Sequence, residues 1–351
     1  MNAPPTPAMT INDVPVYFGD VAGLPDVLSN DYSSVHILAD AQTMQFCAPA
    51  LRSLSWPAPA HWIAMHAGEE AKNLDTCLMV WRQLTDQGAD RHSLVVNLGG
   101  GVVTDLGGFC AATYLRGIRF LHISTSVLGM VDAAIGGKHG VDLDGLKNYV
   151  GVFASPQLVW IDPAFLKTLP DRHVRNGLAE VIKHGCVGDP DLLAMIHGDL
   201  SGMAWDDLLL QSVQVKKQFV EADPAERGIR AALNFGHTIG HALETFALET
   251  GYDLLHGEAV ALGMLAESQI AREVAGLPDA AVDRINTAVR QVFPELGTPA
   301  IPPEVLLELI GKDKKRRSGH VHFALISALG VPSIGHQVAP DLIRRMLSYD
   351  S

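Results

Sequence analysis

A chain of 351 residues is longer than a single hydrophobic core usually supports, so two domains are expected, and its 48% hydrophobic content suffices to fill them. A formal net charge of -13 argues against a nonspecific nucleic-acid surface. No apolar run reaches the roughly 18 residues of a membrane span, and the four cysteines, Cys47, Cys77, Cys110 and Cys186, form no CxxC pair. Together these features lead us to expect a soluble cytoplasmic protein with buried free thiols, binding neither nucleic acid nor membrane.

In chain order, Val35 to Leu38 and Trp62 to Met65 read as buried strands. The first delivers Asp40, a residue able to accept from a ribose hydroxyl or to stand unengaged at a strand end. The second leads to Glu69 and Lys72, whose spacing suits a surface i,i+3 pair. Leu94 to Leu98 is a further strand, running directly into Gly99, Gly100 and Gly101. A helix-compatible segment from Asp105 to Ala112 follows. The glycine triplet would then sit at a helix N-terminus, where free N–H groups favour phosphate. It is not a GxGxxG fingerprint, and alone it fits a structural strand-to-helix turn as well. Ile118 to Ile123 is the next strand. Beyond it, Gly136 and Gly137 form a second glycine turn, with Lys138, Lys147 and Asn148 close behind, and lysines in so acidic a chain favour a bound anion.

Leu158 to Ile161 reads as one more strand, after which strand signals nearly vanish. The domain boundary is therefore placed between residues 165 and 166, within the stretch from 162 to 172. Helical spacing marks Leu178 to Lys183, Leu192 to His197, Leu208 to Val220, His237 to Phe246 and His256 to Ala271, with His320 to Ser327 a short strand or an apolar insertion. The fold class is α/β: a Rossmann-like nucleotide-binding domain followed by an all-α, or mainly α-helical, metal-binding domain.

The helical half concentrates the chemistry. Glu180 precedes Lys183 by three residues. NFGHTIGHALE puts Asn234, His237, His241 and Glu244 at near-helical spacing, and LHGE opens another helix with His256 and Glu258. A carboxylate and two histidines drawn from three helices suit a catalytic zinc-like site that keeps a position open for substrate. There is no HExxH motif, and each histidine alone fits an ordinary core or surface role. Lys216, Arg230 and Asn234 lead into the cluster, and cations there suit a carboxylated or phosphorylated substrate.

Taken together, GGGVVTDLGGFCAATYLRG, GGKHGVDLDGLKN, LKTLP, GLAEVIKHG, ERGIRAALNFGHTIGHALE, LHGEAVALG and DKKRRSGH resemble, in order and spacing, the 3-dehydroquinate synthase family of the sugar phosphate cyclases, from about Val35 to about Leu347. The resemblance implies an NAD- and metal-dependent carbon-oxygen lyase of the shikimate pathway and a homodimer. It implies NAD contacts at Asp40, Glu69, Lys72, Gly100, Gly101, Asp105, Thr125, Ser126, Lys138, Lys147, Phe165 and Thr168. The metal, zinc or cobalt, would be held by Glu180, His237 and His256. Arg116, Asp132, Lys138, Asn148, Lys183, Lys216, Arg230, Asn234, His241 and Lys314 match residues that line the substrate site.

By the same resemblance the reaction turns 3-deoxy-D-arabino-heptulosonate 7-phosphate into 3-dehydroquinate and phosphate. Its steps would be transient oxidation by NAD, β-elimination, re-reduction and intramolecular aldol closure. Arg116, Lys138, Asn148, His241 and Lys314 would clamp the phosphate, and Lys216 and Arg230 the carboxylate. Four departures from the family pattern bear on this reading. His139 stands where threonine is usual, Asp142 where asparagine is common, Ser126 ends what is usually a Thr-Thr pair, and Ser124 replaces the proline before that pair. The alternatives are another sugar phosphate cyclase, such as 2-epi-5-epi-valiolone synthase acting on sedoheptulose 7-phosphate, an NAD-dependent polyol dehydrogenase, or a catalytically inactive binding protein on the same scaffold.

Overall fold

The computed structural model describes residues 5–144, 146–312, 316–317 and 320–347. The chain divides into two compact units, Met1–Pro170 and Asp171–Ser351.

The first unit is built on nine strands: β1 Met9–Ile11, β2 Val14–Phe18, β3 Val35–Asp40, β4 Ala60–Met65, β5 Leu94–Gly99, β6 Arg119–Ser124, β7 Lys138–Leu143, β8 Leu146–Phe153 and β9 Val159–Ile161. Seven form one sheet in the order β1-β2-β9-β6-β5-β3-β4, parallel except for the β1/β2 edge. Helices α1 Ala41–Phe46, α2 Ala48–Arg52, α3 Leu74–Asp86 and α4 Gly101–Thr113 accompany it. All six residues of β5 are buried, as are the first five of β3, which is why these segments read as continuous apolar runs. Parallel register places Ala39 beside Leu98, and Gly99 beside Ser124, so the carboxyl ends of β3, β5 and β6 share one edge. In open α/β sheets that edge is where ligands bind.

The second glycine turn opens an antiparallel hairpin, β7 with β8. Gly136 and Gly137 both have left-handed backbones, with φ of 99° and 67°, a region open to glycine at little cost. Gly99, Gly100 and Gly101 lie outside that region. Their lack of a side chain matters for packing, since a Cβ on Gly100 would stand 2.8 Å from Ser126 Oγ.

The second unit is mainly helical: α5 Asp171–Val187, α6 Leu192–Met195, α7 Trp205–Ala222, α8 His237–Thr250, α9 His256–Val274, α10 Asp279–Val292 and α11 Pro303–Lys312, closing with α12 Pro340–Leu347. It is not all-α. Strands β10 Arg316–Arg317, β11 His320–Ala328 and β12 Val331–Gln337 form a three-stranded antiparallel sheet. The apolar run from Phe323 to Ile326 supplies β11 with a fully buried core, whereas β12 is largely exposed and carries little apolar signal of its own.

Helix α9 packs against both α8 and α5. The α8/α9 approach depends on small residues. A Cβ on Gly263 would overlap the Gly236 carbonyl, and one on Gly240 would press on Ala259 O at 3.0 Å and Val260 Cα at 3.1 Å. At the start of α9, a Cβ on Gly257 would overlap the Asn176 carbonyl of α5. The three helices that carry Glu180, His237 and His256 thus meet backbone to backbone.

Candidate functional site

The sheet edge of the first unit gathers several of the expected residues. Thr125 N–H donates to Gly99 O at 3.0 Å, tying the loop after β6 to the glycine triplet, and Ser126 Oγ accepts from Gly129 N–H at 3.2 Å. The triplet does cap α4 at its N-terminus, with Gly100 as the residue preceding the helix. Asp132 lies just beyond, within a π-helical turn, Gly129–Ala133.

Lys72 is buried, and its ammonium meets Asp105 Oδ2 at 2.5 Å and Asn148 Oδ1 at 2.6 Å. Burial works against its charge, but Asp105 and then Glu69 outweigh that and push the group well above the usual lysine range. Lys147 meets Glu69 Oε1 at 2.8 Å and Asp142 Oδ2 at 3.3 Å. The surface pair expected between Glu69 and Lys72 therefore gives way to a different arrangement. Glu69 opens a single 3-10 turn, Glu69–Ala71, and Lys72, the residue that ends it, is buried.

Asp142 accepts from Asn148 N–H at 2.7 Å and itself donates its N–H to Lys72 O at 2.9 Å. Its carboxylate thus steadies Asn148, whose backbone is left-handed at φ 48°. His139 faces away from Lys138, as neighbours on a strand do, and lies buried against the Phe120 and His122 rings at 5.2 and 5.1 Å. One ring nitrogen, Nε2, donates to Ala154 O at 3.0 Å. Burial, opposed by backbone carbonyls, lowers its pKa to about 4, so at neutral pH His139 is an uncharged packing residue.

The other expected residues of this unit differ in exposure. Asp40 accepts from Thr43 N–H at 2.8 Å and caps α1. Arg116 is exposed with φ 67°, Lys138 is exposed, Phe165 is buried and Thr168 is exposed.

In the second unit, Glu180 is completely buried and in contact with Lys183. His237 Nε2 stands 3.4 Å and His256 Nε2 3.6 Å from Glu180 Oε1. The opposite ring nitrogens are engaged elsewhere. His237 Nδ1 donates to Phe235 O at 3.3 Å, and His256 Nδ1 meets Glu244 Oε2 at 3.1 Å. Desolvation pushes the His237 pKa well below its ordinary value. For His256 burial acts the same way, but Glu244 and Glu180 outweigh it and raise the pKa to about 10. One atom from each of Glu180, His237 and His256 lies within 4.8 Å of the others.

This donor set fits a divalent metal. It supplies one carboxylate and two imidazoles, each ring oriented through its far nitrogen so that Nε2 faces inward, and three protein ligands leave coordination positions open. The ring of His241 lies 5.1 Å from that of His237 and 5.9 Å from that of His256. Arg230 and Asn234 share the turn Ile229–Asn234, which packs on α7, the helix bearing the buried Lys216. Arg230 donates to Pro224 O at 2.8 Å, and Asn234 to Glu226 Oε1 at 2.9 Å. Lys314 lies outside the described residues.

Residues that sequence reasoning did not single out steady the cluster. Asn176 Oδ1 accepts from Gly257 N–H at 2.6 Å, beside His256. Arg172 forks onto Glu258 at 2.7 and 2.8 Å, while Glu258 accepts from Leu255 N–H at 2.8 Å. No local spacing announces these partners, because they are 81 to 86 residues apart.

In its fold, an α/β unit followed by a mainly helical unit, the chain is similar to a solved sugar phosphate cyclase. A 2-epi-5-epi-valiolone synthase from Streptomyces hygroscopicus, solved with NAD+ and Zn2+ bound, superposes with a TM-score of 0.87 at 29% identity, covering 97% of each chain. The sequence assigns the branch. Residues 62–176 match the 3-dehydroquinate synthase N-terminal family and residues 177–316 the 3-dehydroquinate synthase C-terminal family. The 3-dehydroquinate synthase of Parabacteroides distasonis is 38% identical over 93% of this chain and 94% of its own. That of Nostoc punctiforme is 41% identical over 80% and 79%. The chain belongs to the 3-dehydroquinate synthase family.

Proposed function

We propose that this enzyme closes 3-deoxy-D-arabino-heptulosonate 7-phosphate to 3-dehydroquinate with loss of phosphate, using NAD and one divalent metal, zinc or cobalt. The observation that carries the reading is the convergence of His237 Nε2 and His256 Nε2 on the buried Glu180, in a chain that matches both halves of the family. When bound, the two groups supply a hydride sink and source, from NAD, and Lewis-acid polarisation of substrate hydroxyls, from the metal.

The protein's share is positioning. Glu180, His237 and His256 hold the metal. Gly100, Gly101, Thr125 and Ser126 present backbone and hydroxyl groups to the dinucleotide phosphates, Asp40 takes a ribose hydroxyl, and Phe165 and Thr168 complete the NAD contacts. Glu69, Lys72, Asp105 and Lys147 form the charged floor beside it. The family resemblance assigns substrate-phosphate binding to Arg116, Lys138 and Asn148 in the first unit and to His241 and Lys314 in the second; a phosphate oxygen can take the proton released in β-elimination, so that no separate protein base is needed. It assigns further substrate contacts to Asp132 in the first unit and to Lys183 and Asn234 in the second. Lys216 and Arg230 read the substrate carboxylate, with the planar guanidinium offering a bidentate fork. The four cysteines are free and buried, which supports a reducing, cytoplasmic setting. A homodimer is part of the reading, and light scattering tests it.

The likeness to a valiolone synthase favours a second reading, closure of sedoheptulose 7-phosphate, which lacks the carboxylate. Phosphate release is therefore measured from both sugars, with NAD and metal present and NADH absorbance followed. Release from the heptulosonate alone, without net NADH, is expected; release from sedoheptulose 7-phosphate alone overturns the assignment. Arg230→Gln should lower kcat/KM for the heptulosonate by about tenfold or more, the scale of a lost charge-assisted hydrogen bond. No change would remove Arg230 from the carboxylate site.

A further inference from the structure

Helix α8 begins with His237 yet has no side-chain cap of its own, because the residue before it is Gly236. A polar capping residue cannot replace that glycine. Its φ is +81°, and a Cβ would stand 2.5 Å from Met264 Cγ and 3.0 Å from Val260 O. The missing acceptor comes from another helix. Glu267 of α9 is completely buried, its Oε2 accepting from Gly236 N–H at 2.8 Å and its Oε1 from Ile239 N–H at 2.9 Å. One carboxylate thus does from outside what a capping box does locally, and its negative charge sits at the positive end of α8. The two N–H groups that it holds bracket His237.

We propose that Glu267 is a positioning residue for the metal site, fixing the start of α8 so that His237 presents Nε2 toward Glu180. The same helix, α9, begins with His256, so Glu267 ties the two imidazole-bearing helices into one register. The assignment requires a charged carboxylate of this length. A glutamine keeps one acceptor but turns an amide N–H toward a backbone N–H. An aspartate keeps the charge but loses a methylene of reach. The inference rests on the metal reading of Glu180, His237 and His256.

The test titrates Co2+ alone into the metal-free full-length parent and into Glu267→Gln, reading the visible Co2+ spectrum, with NAD affinity measured on the same samples. Co2+ affinity should fall by about ten- to a hundredfold, the usual cost of losing an outer partner of a metal ligand, with an altered spectrum and parent-like NAD affinity. A folded variant with parent-like Co2+ affinity and spectrum overturns the proposal, as does an equal loss of NAD affinity, which would mark a general structural role. If Glu267→Gln does not fold, Glu267→Asp is read by the same criteria. Failure of the parent to bind Co2+ would instead sink the metal reading and this inference with it, and the two failures are distinguished by which protein loses the signal.

Discussion

At the scale of single residues, the two departures at His139 and Asp142 have different consequences. Asp142 is not merely a charge near lysines. It accepts from Asn148 N–H at 2.7 Å and lies 3.3 Å from Lys147, which Glu69 also holds at 2.8 Å. Asp142→Asn keeps an acceptor for Asn148 and leaves Lys147 its other partner, so its stability cost should stay within about 1 kcal/mol, as for a part-exposed ion pair. Asp142→Ala removes the acceptor beneath a left-handed asparagine and should cost about 1 to 2 kcal/mol, with weaker NAD binding. Urea melts and NAD titration of both variants check this; equal behaviour would mean that the Asn148 contact does not matter. The sequence made Glu180, His237 and His256 legible because each sits in a motif with helical spacing. It misplaced the partner of Lys72 and gave no sign of Glu267 or Asn176, since these act across 28 to 81 residues of chain and spacing rules see only one turn.

At the scale of elements, the site depends on how closely α8 and α9 approach. Gly263 of α9 faces the Gly236 carbonyl and, at 2.9 Å from its would-be Cβ, Gly240 N. Backbone cannot swing aside as a side chain can. Gly263→Ala should therefore push the helices apart and cost about 1 to 3 kcal/mol or more, outweighing alanine's better helix propensity of about 1 kcal/mol. Thermal melts and Co2+ binding should fall together. A variant stabilised by the alanine would show that the helices can shift freely. The helices themselves were readable from period 3.6, and the buried parallel strands from continuous apolar runs. The β7/β8 hairpin was not, because its outward face alternates Tyr149, Gly151 and Phe153, all exposed, and GGKHG reads first as a binding loop. Sheet β10–β12 was legible only in part, through β11.

At the scale of the molecule, two units with separate cores can unfold in separate transitions, and acid should act on them unequally. His122 and His139 lie buried in the first unit, their rings 5.1 Å apart, beneath glycines of α4: a Cβ on Gly108 would overlap His139. Burial pushes the His122 pKa well below its usual value, with His139 adding repulsion, and lowers that of His139 to about 4, with Lys72 adding repulsion. The folded state therefore binds fewer protons than the unfolded chain, where histidine titrates near 6.5. Stability from these groups is fully present above that unfolded value and drains away as pH falls toward the folded one. For His139 alone the loss should be roughly 2 kcal/mol near pH 5. The first unit holds Trp56, Trp62, Trp81 and Trp160, so tryptophan fluorescence in urea follows it preferentially. Its midpoint should drop as pH is lowered from 7 to 5. His139→Thr should lower stability at neutral pH by opening a cavity, yet flatten the acid limb by about the amount assigned to this one histidine. An acid limb of unchanged slope would show that His139 is protonated in the folded protein, and that its ring is not the neutral filler its surroundings require.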